Sequence, residues 1–220
     1  MAERVVHFVL HVPKCAGTTV ESHFAATLGA GFLRAPRWEH PLRNVIGNRY
    51  PYAPGDPRLD GVRLVSGHSL SRSLAAHFPG CRIEESVLIR DPLGYFLSFY
   101  NDRWTRHRAG REPRPPGFET WYRAQWLNPI SRFLLNRYFE QGVPSLYRLS
   151  SAGRLAFLEA RLARFLFVGA QDRANEMIAG LSLALGVPGE GGRRNVTSEK
   201  VVREADLGAP LTARIRAENA

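Results

Sequence analysis

The residues best placed to do chemistry fall in three short stretches. The first is Pro13-Lys14-Cys15-Ala16-Gly17-Thr18-Thr19, directly after the apolar run Val5 to Val12. An anion would meet backbone N–H groups on small residues, a lysine point charge, and the positive end of a helix whose face is marked by Val20, Phe24 and Leu28. The second is Ile89-Arg90-Asp91-Pro92, followed by Ser98-Phe99-Tyr100-Asn101. A guanidinium offers phosphate a two-pronged contact, and the Ser98 hydroxyl adds a donor from the next helix. The third is Ser66-Gly67-His68. Hydroxyl groups are poor nucleophiles at neutral pH, and a histidine that titrates near neutrality is a suitable base. Taken singly, each stretch also has a plain structural reading: a solvated turn lysine, a common Arg-Asp-Pro strand-to-helix turn, a histidine capping a strand end.

The elements that must position these groups alternate between strand and helix. Val5–Val12, Val62–Ser66, Ser86–Arg90 and Phe165–Gly169 read as strands, the first ended by Pro13, which cannot donate to a ladder. Helices are expected over Val20–Leu28, Ser71–Phe78, Leu93–Arg106, Phe118–Trp126, Ser131–Glu140, Ala152–Arg164 and Ala174–Leu185, with a polar helical tail. Ala35 to Asp60 is a Pro-rich loop, and residues 107–117 form a basic Pro/Gly connector expected to be the most mobile segment. This order predicts an α/β fold: a central parallel β-sheet flanked by helices, as one domain over residues 1–220. In such a sheet ligands bind at the carboxyl ends of the strands. Lys14, His68 and Arg90 each follow or close a predicted strand, so all three fall at that edge.

The order Pro-Lys-x-x-Gly-Thr-Thr differs from the ordinary nucleotide P-loop, which places its lysine just after a second glycine. It resembles the loop with which PAPS-dependent sulfotransferases bind the 5′-phosphosulfate end of 3′-phosphoadenosine 5′-phosphosulfate (PAPS), most closely the carbohydrate branch that includes the heparan and chondroitin sulfate enzymes. Arg90 and Ser98, about 75 residues downstream, resemble that family's 3′-phosphate grip, with Tyr95 where the common pattern has a further Arg. The resemblance implies a P-loop-NTPase-like three-layer fold and the following roles. Lys14 and the amides of Cys15, Ala16, Gly17, Thr18 and Thr19, with both threonine hydroxyls, would hold the 5′-phosphate end. Lys14 would also neutralise the departing adenosine bisphosphate (PAP), and His68 would take the acceptor's proton. Glu21 is a weaker base candidate, because other branches use a glutamate at a different spacing. Arg194 and Thr197, in the Gly191-Gly192-Arg193-Arg194-Asn195-Val196-Thr197 stretch, resemble the basic C-terminal loop that closes over the nucleotide. The acceptor implied is a hydroxyl on a carbohydrate or glycoconjugate.

Composition narrows the alternatives. The chain has 220 residues, enough for a substantial core, and 30 Lys+Arg against 20 Asp+Glu. The net charge of +10 calls for an anionic partner, such as a nucleotide or an anionic carbohydrate acceptor. Two cysteines, Cys15 and Cys81, are too few for a disulfide framework or a zinc site and read as free thiols, and no metal is expected. No apolar run approaches the roughly 20 residues of a membrane span. Residues 1–12 lack a signal peptide's cleavage site. The expectation is a cytoplasmic, bacterial-type enzyme without a Golgi anchor. A P-loop kinase or NTPase is the rival enzyme class, opposed by the lysine position and by Asp91 as its nearest magnesium-binding candidate. A basic nucleic-acid-binding protein is the non-enzymatic rival. No nucleic acid is expected, because no reading motif is present and the aromatics fall at core-helix spacing.

Overall fold

A computed structural model describes residues 3–37, 49–139, 149–189 and 200–219. In chain order the main elements are β1 (Arg4–Leu10), α1 (Gly17–Leu28), β2 (Phe32–Arg34), β3 (Leu64–Gly67), β4 (Cys81–Ile89), α2 (Pro92–Arg108), α3 (Phe118–Arg123), α4 (Pro129–Phe133, continuing as a π-helical turn over Leu134–Phe139), α5 (Ser151–Leu162), β5 (Phe167–Ala170), α6 (Ala174–Leu185) and α7 (Ala209–Glu218). The described residues divide into two compact units: 3–37, 49–89, 130–139 and 149–189 form the first, and 90–129 with 200–219 the second.

The first unit is built on a five-stranded, all-parallel sheet in the order β2-β3-β1-β4-β5. β1 is central because it is buried on both sides: Val6, Phe8, Val9 and Leu10 are all in the core. Register then fixes the faces. His7, Val9, Ser66 and Ser86 share one face, and it is covered by α1 and α6, which pack on each other. Phe8 and Glu85 belong to the other, where Phe8 meets the Phe78 ring at 6.0 Å and the Tyr138 hydroxyl donates to Glu85. The predicted α/β architecture with a parallel sheet between helices is therefore present.

Several boundaries differ from the expectation for identifiable reasons. β4 begins five residues earlier than Ser86, at Cys81, hidden in the sequence by Arg82, Glu84 and Glu85. Those charges are accommodated singly: Glu84 pairs with Arg82 and His7, and Glu85 with Tyr138 and Arg72. β2 is a three-residue edge strand with no alternation to reveal it. Residues 72–77 form a 3₁₀ rather than an α-helical turn, and Ser131–Glu140 splits into α4 and a π turn. Leu155, placed on the apolar stripe of α5, is 57% exposed, while Leu158 is buried.

The second unit packs α2 on α3 through aromatic rings and ties α7 to α3 through Tyr122. Phe96 lies edge-on to Tyr122 at 4.9 Å, and Tyr100 to Phe118 at 5.2 Å. The Tyr122 hydroxyl donates to Glu218 and accepts from Asn219. The connector at 107–117 folds back on α2: Tyr100 donates to the Pro116 carbonyl, and Arg103 and Arg106 both pair with Glu112. Arg103 and Arg106 are thus engaged by an acid of their own unit.

Candidate functional site

The loop between β1 and α1 is unusual in its backbone. Lys14 and Ala16 both adopt left-handed conformations, φ 64° and φ 62°. For residues other than glycine this costs roughly 1–3 kcal/mol each and tends to persist where function requires it. Ala16 sits at the N-cap of α1 with no side chain to cap it, so the amides of the first turn lack the usual capping acceptor. Thr18 is exposed, whereas Cys15, Gly17 and Thr19 are buried. The loop follows the central strand. It also lies where the chain order reverses, since β1 leads on to β2 on one side and β4 to β5 on the other. Open parallel sheets bind ligands at this kind of switch point.

A cluster of polar side chains sits beside this loop. Leu10 pairs with Gly67, so the next residues, His11 and His68, leave adjacent parallel strands side by side. Their rings stack with centroids 3.8 Å apart. The His68 Nδ1 is 2.8 Å from the His11 carbonyl oxygen. A carbonyl only accepts, so Nδ1 carries the hydrogen and Nε2 holds the lone pair of the neutral ring. His11 is fixed in turn: its Nδ1 donates to Glu21 Oε1 at 2.6 Å. Glu21 also accepts from Ser66 Oγ at 3.2 Å and faces the Arg34 guanidinium at 3.1 Å. Gly17 completes the arrangement, since a Cβ there would lie 2.0 Å from the His11 ring.

These contacts divide the titratable groups by role. His68 is exposed at the surface, yet desolvation of its packed side is the main cause holding its pKa below the ordinary 6.5. The charge His11 can carry adds to this, the bond to the His11 carbonyl and the Glu21 charge oppose it, and Arg137 lowers it further. His68 is therefore neutral and has an open basic nitrogen near pH 7. Burial tends to raise the Glu21 pKa, but His11, Arg34 and Ser66 outweigh it and hold the carboxyl below its ordinary 4.5. A buried carboxylate with three donors is a weak base, which corrects the reading of Glu21 as a base candidate. The strand expected over Val5–Val12 ends at Leu10, so His11 lies just past the end of β1. His7 does pack in the sheet, with its Nδ1 3.4 Å from Glu84.

In the second unit, Asp91 caps α2 by accepting from the Gly94 amide at 2.7 Å. A Cβ on Gly94 would lie 2.9 Å from Arg90 Nε, so the absent side chain leaves room for Arg90 against the first turn. Ser98 is one turn beyond Gly94 on the same face of α2, half-buried. Arg90, Gly94 and Ser98 thus form a single line along the helix start. Tyr95 is turned instead into an aromatic group with Phe96 and Phe99. Asn101 anchors the incoming C-terminal segment: its amide accepts from Val201 and Val202 and donates to the Val202 carbonyl. Arg194 and Thr197 lie outside the described residues.

The structure therefore brings His68 next to the Lys14–Thr19 loop through His11 and Gly17, and lines up Arg90 with Ser98. Sequence reasoning missed His11 and Arg34. The only signal for His11 was its place one residue before Val12-Pro13, and Arg34 had none. Among the described residues no cluster of His, Cys, Asp and Glu could hold a metal ion, and no helix is long and apolar enough to cross a membrane. No protein-family model matches the chain, and no curated protein is significantly similar to it.

Proposed function

We propose that the protein is a sulfotransferase that moves a sulfuryl group from PAPS to an acceptor hydroxyl, on a P-loop-like α/β fold. The observation that carries the reading is His68, its Nδ1 donating to the His11 carbonyl and its Nε2 open, beside a helix N-terminus without a side-chain cap and preceded by Lys14. A base and an anion-holding loop in one place suit in-line transfer from an activated phosphosulfate to an oxygen nucleophile. The acceptor O–H gives its proton to His68 Nε2 while its oxygen forms the new S–O bond. The S–O bond to the 5′-phosphate breaks, and PAP leaves with the electron pair. Lys14 and the amides of Ala16, Gly17 and Thr18 would face the charge that develops on that phosphate, the Cys15 and Thr19 amides being held by the Val12 and Ala16 carbonyls. Positioning and charge stabilisation supply most of the rate in such transfers. Arg90 and Ser98 suit the 3′-phosphate, because a two-pronged cation lies against the first turn of α2 at Gly94 and the hydroxyl follows one turn along. The resemblance in the loop assigns the acceptor to a carbohydrate or glycoconjugate hydroxyl, and the net charge of +10 suits an anionic one.

Calorimetric titration in magnesium-free buffer tests this reading, with PAP against ATP and 5′-AMP. The expected result is binding of PAP at low micromolar concentration and much weaker binding of 5′-AMP, which lacks the 3′-phosphate. Equal indifference to all three nucleotides overturns the reading, and magnesium-dependent ATP turnover replaces it with the kinase class.

A further inference from the structure

The base assignment above leaves a buried histidine and a buried carboxylate without a role: His11 lies against His68, and Glu21 holds His11. We propose that His11, clamped by Glu21, is a positioning residue for His68: its backbone carbonyl selects which His68 nitrogen faces the acceptor, and its ring is the surface on which His68 lies. This inference rests on the reading of His68 as the base.

Three observations carry it. His11 is 6% exposed and Glu21 4%, so neither can meet an acceptor directly. His11 reaches a substrate through His68, which touches both the His11 carbonyl, at 2.8 Å, and the His11 ring, at 3.8 Å between centroids. Finally, His11 has no freedom to move: Glu21 holds Nδ1 at 2.6 Å on one side and the Gly17 backbone closes against the ring on another. Glu21 is fixed in turn by Ser66 from β3 and Arg34 from β2. Three adjacent strands and α1 thus converge on one imidazole.

The arrangement also controls protonation. The groups facing the histidine pair are Glu21 from α1, Arg34 from β2 and Arg137 from the π turn. Two stacked imidazoles resist carrying two protons, so a proton on either opposes one on the other. Removing the His11 ring relieves that repulsion and lets water reach the inner face of His68. Both effects act in the same direction, towards the ordinary 6.5.

The experiment uses the full chain and nuclear magnetic resonance of the His68 ring, with no nucleotide present. Asn at position 11 offers an amide donor near the place of Nδ1, so His11→Asn keeps the bond to Glu21 while removing the ring. His68 in the folded His11→Asn variant is expected to titrate at higher pH than in the wild type. The acid limb of kcat/KM should move up by the same interval. Turnover above pH 8 should fall by less than the roughly 10²–10⁴-fold expected for loss of the base itself. An unchanged His68 titration overturns the proposal. Should the variant not fold, the wild-type tautomer decides: ring nitrogen shifts must place the hydrogen on Nδ1, and a hydrogen on Nε2 overturns it. Because the His68 titration and the tautomer shifts need neither PAPS nor product, they fail independently of the nucleotide titration that tests the sulfotransferase reading.

Discussion

Gly17→Ala is the smallest change that should disable the site while leaving every charged group in place. Its Cβ would lie 2.0 Å from His11 Cδ2, 2.5 Å from Cγ and 2.6 Å from Nε2, well inside any tolerated contact. The His11 ring cannot yield, since it is buried, stacked on His68 and bonded to Glu21. Either the start of α1 shifts away from β1, or the ring is expelled and its bond to the carboxylate breaks. Overpacking of a filled site costs about 1–3 kcal/mol. Loss of a hydrogen bond to a charged group adds about 1.5–3 kcal/mol. The better helix propensity of alanine returns up to about 1 kcal/mol. The net is a loss of about 1.5–6 kcal/mol, which for a chain of this size lowers Tm by roughly 3–24 °C. Turnover should fall further than stability explains, because the displaced ring carries His68 with it, and base misplacement forfeits up to the roughly 10²–10⁴-fold of general-base catalysis. Differential scanning calorimetry and turnover at a temperature where the variant is folded are the two assays. Gly180→Ala on α6 is the control, since its Cβ meets nothing within 4 Å and the change should be neutral or slightly stabilising. Wild-type melting and turnover in Gly17→Ala would refute the contact between α1 and His11, and the positioning argument with it.

Other outcomes follow from the same geometry. His68→Ala should retain PAP binding by calorimetry while losing about 10²–10⁴-fold in kcat; near-normal turnover would exclude it as the base. Lys14→Ala should weaken PAP binding and turnover together, and unchanged values for both would remove its assigned role. Tyr138→Phe takes a donor from the buried Glu85 carboxylate and leaves it Arg72 at 3.4 Å, so unfolding in urea should show a loss of about 1–3 kcal/mol. Stability should fall on acidification in two windows. His7 and His68 are held below 6.5, chiefly by burial, so the unfolded chain binds protons first as the pH drops through about 6.5. Glu21, held below 4.5, contributes above that pH and loses its contribution as the pH falls through its lower folded value. A urea midpoint unchanged between pH 7.5 and 5.5 would contradict the histidine assignments.

The fold was largely legible because its strands are runs of apolar, β-branched residues and its helices carry regular stripes. Ala174–Leu185 was bounded correctly to the residue, helped by Gly186, which ends α6 in a left-handed conformation. The first half of β4 was not legible, because Arg82, Glu84 and Glu85 obtain their partners from β1, the π turn and residues distant in sequence. The site divides in the same way. The loop proposed to act through backbone placement, Lys14 to Thr19, could be read from small side chains between a strand and a helix. The Glu21–His11–His68 chain could not, because it depends on register: only when Leu10 pairs with Gly67 do two histidines 57 residues apart become neighbours.

That dependence on register has a consequence for how accurately the base is held. A histidine on a flexible loop would sample many orientations, and each lost degree of alignment would reduce the rate of proton transfer. Here His68 leaves the last residue of β3, and the carbonyl that fixes its tautomer leaves the last residue of β1. The distance between them is therefore set by the parallel ladder itself. Glu21 adds a restraint from α1, whose N-terminus is also the proposed anion-holding end, so the proposed base and the loop are referenced to the same helix and strand. A shift of α1 relative to β1 would change their separation, and the contact of the Gly17 backbone with the His11 ring opposes it. Sites supported in this way keep their geometry through the backbone rather than through the side chains that do the chemistry.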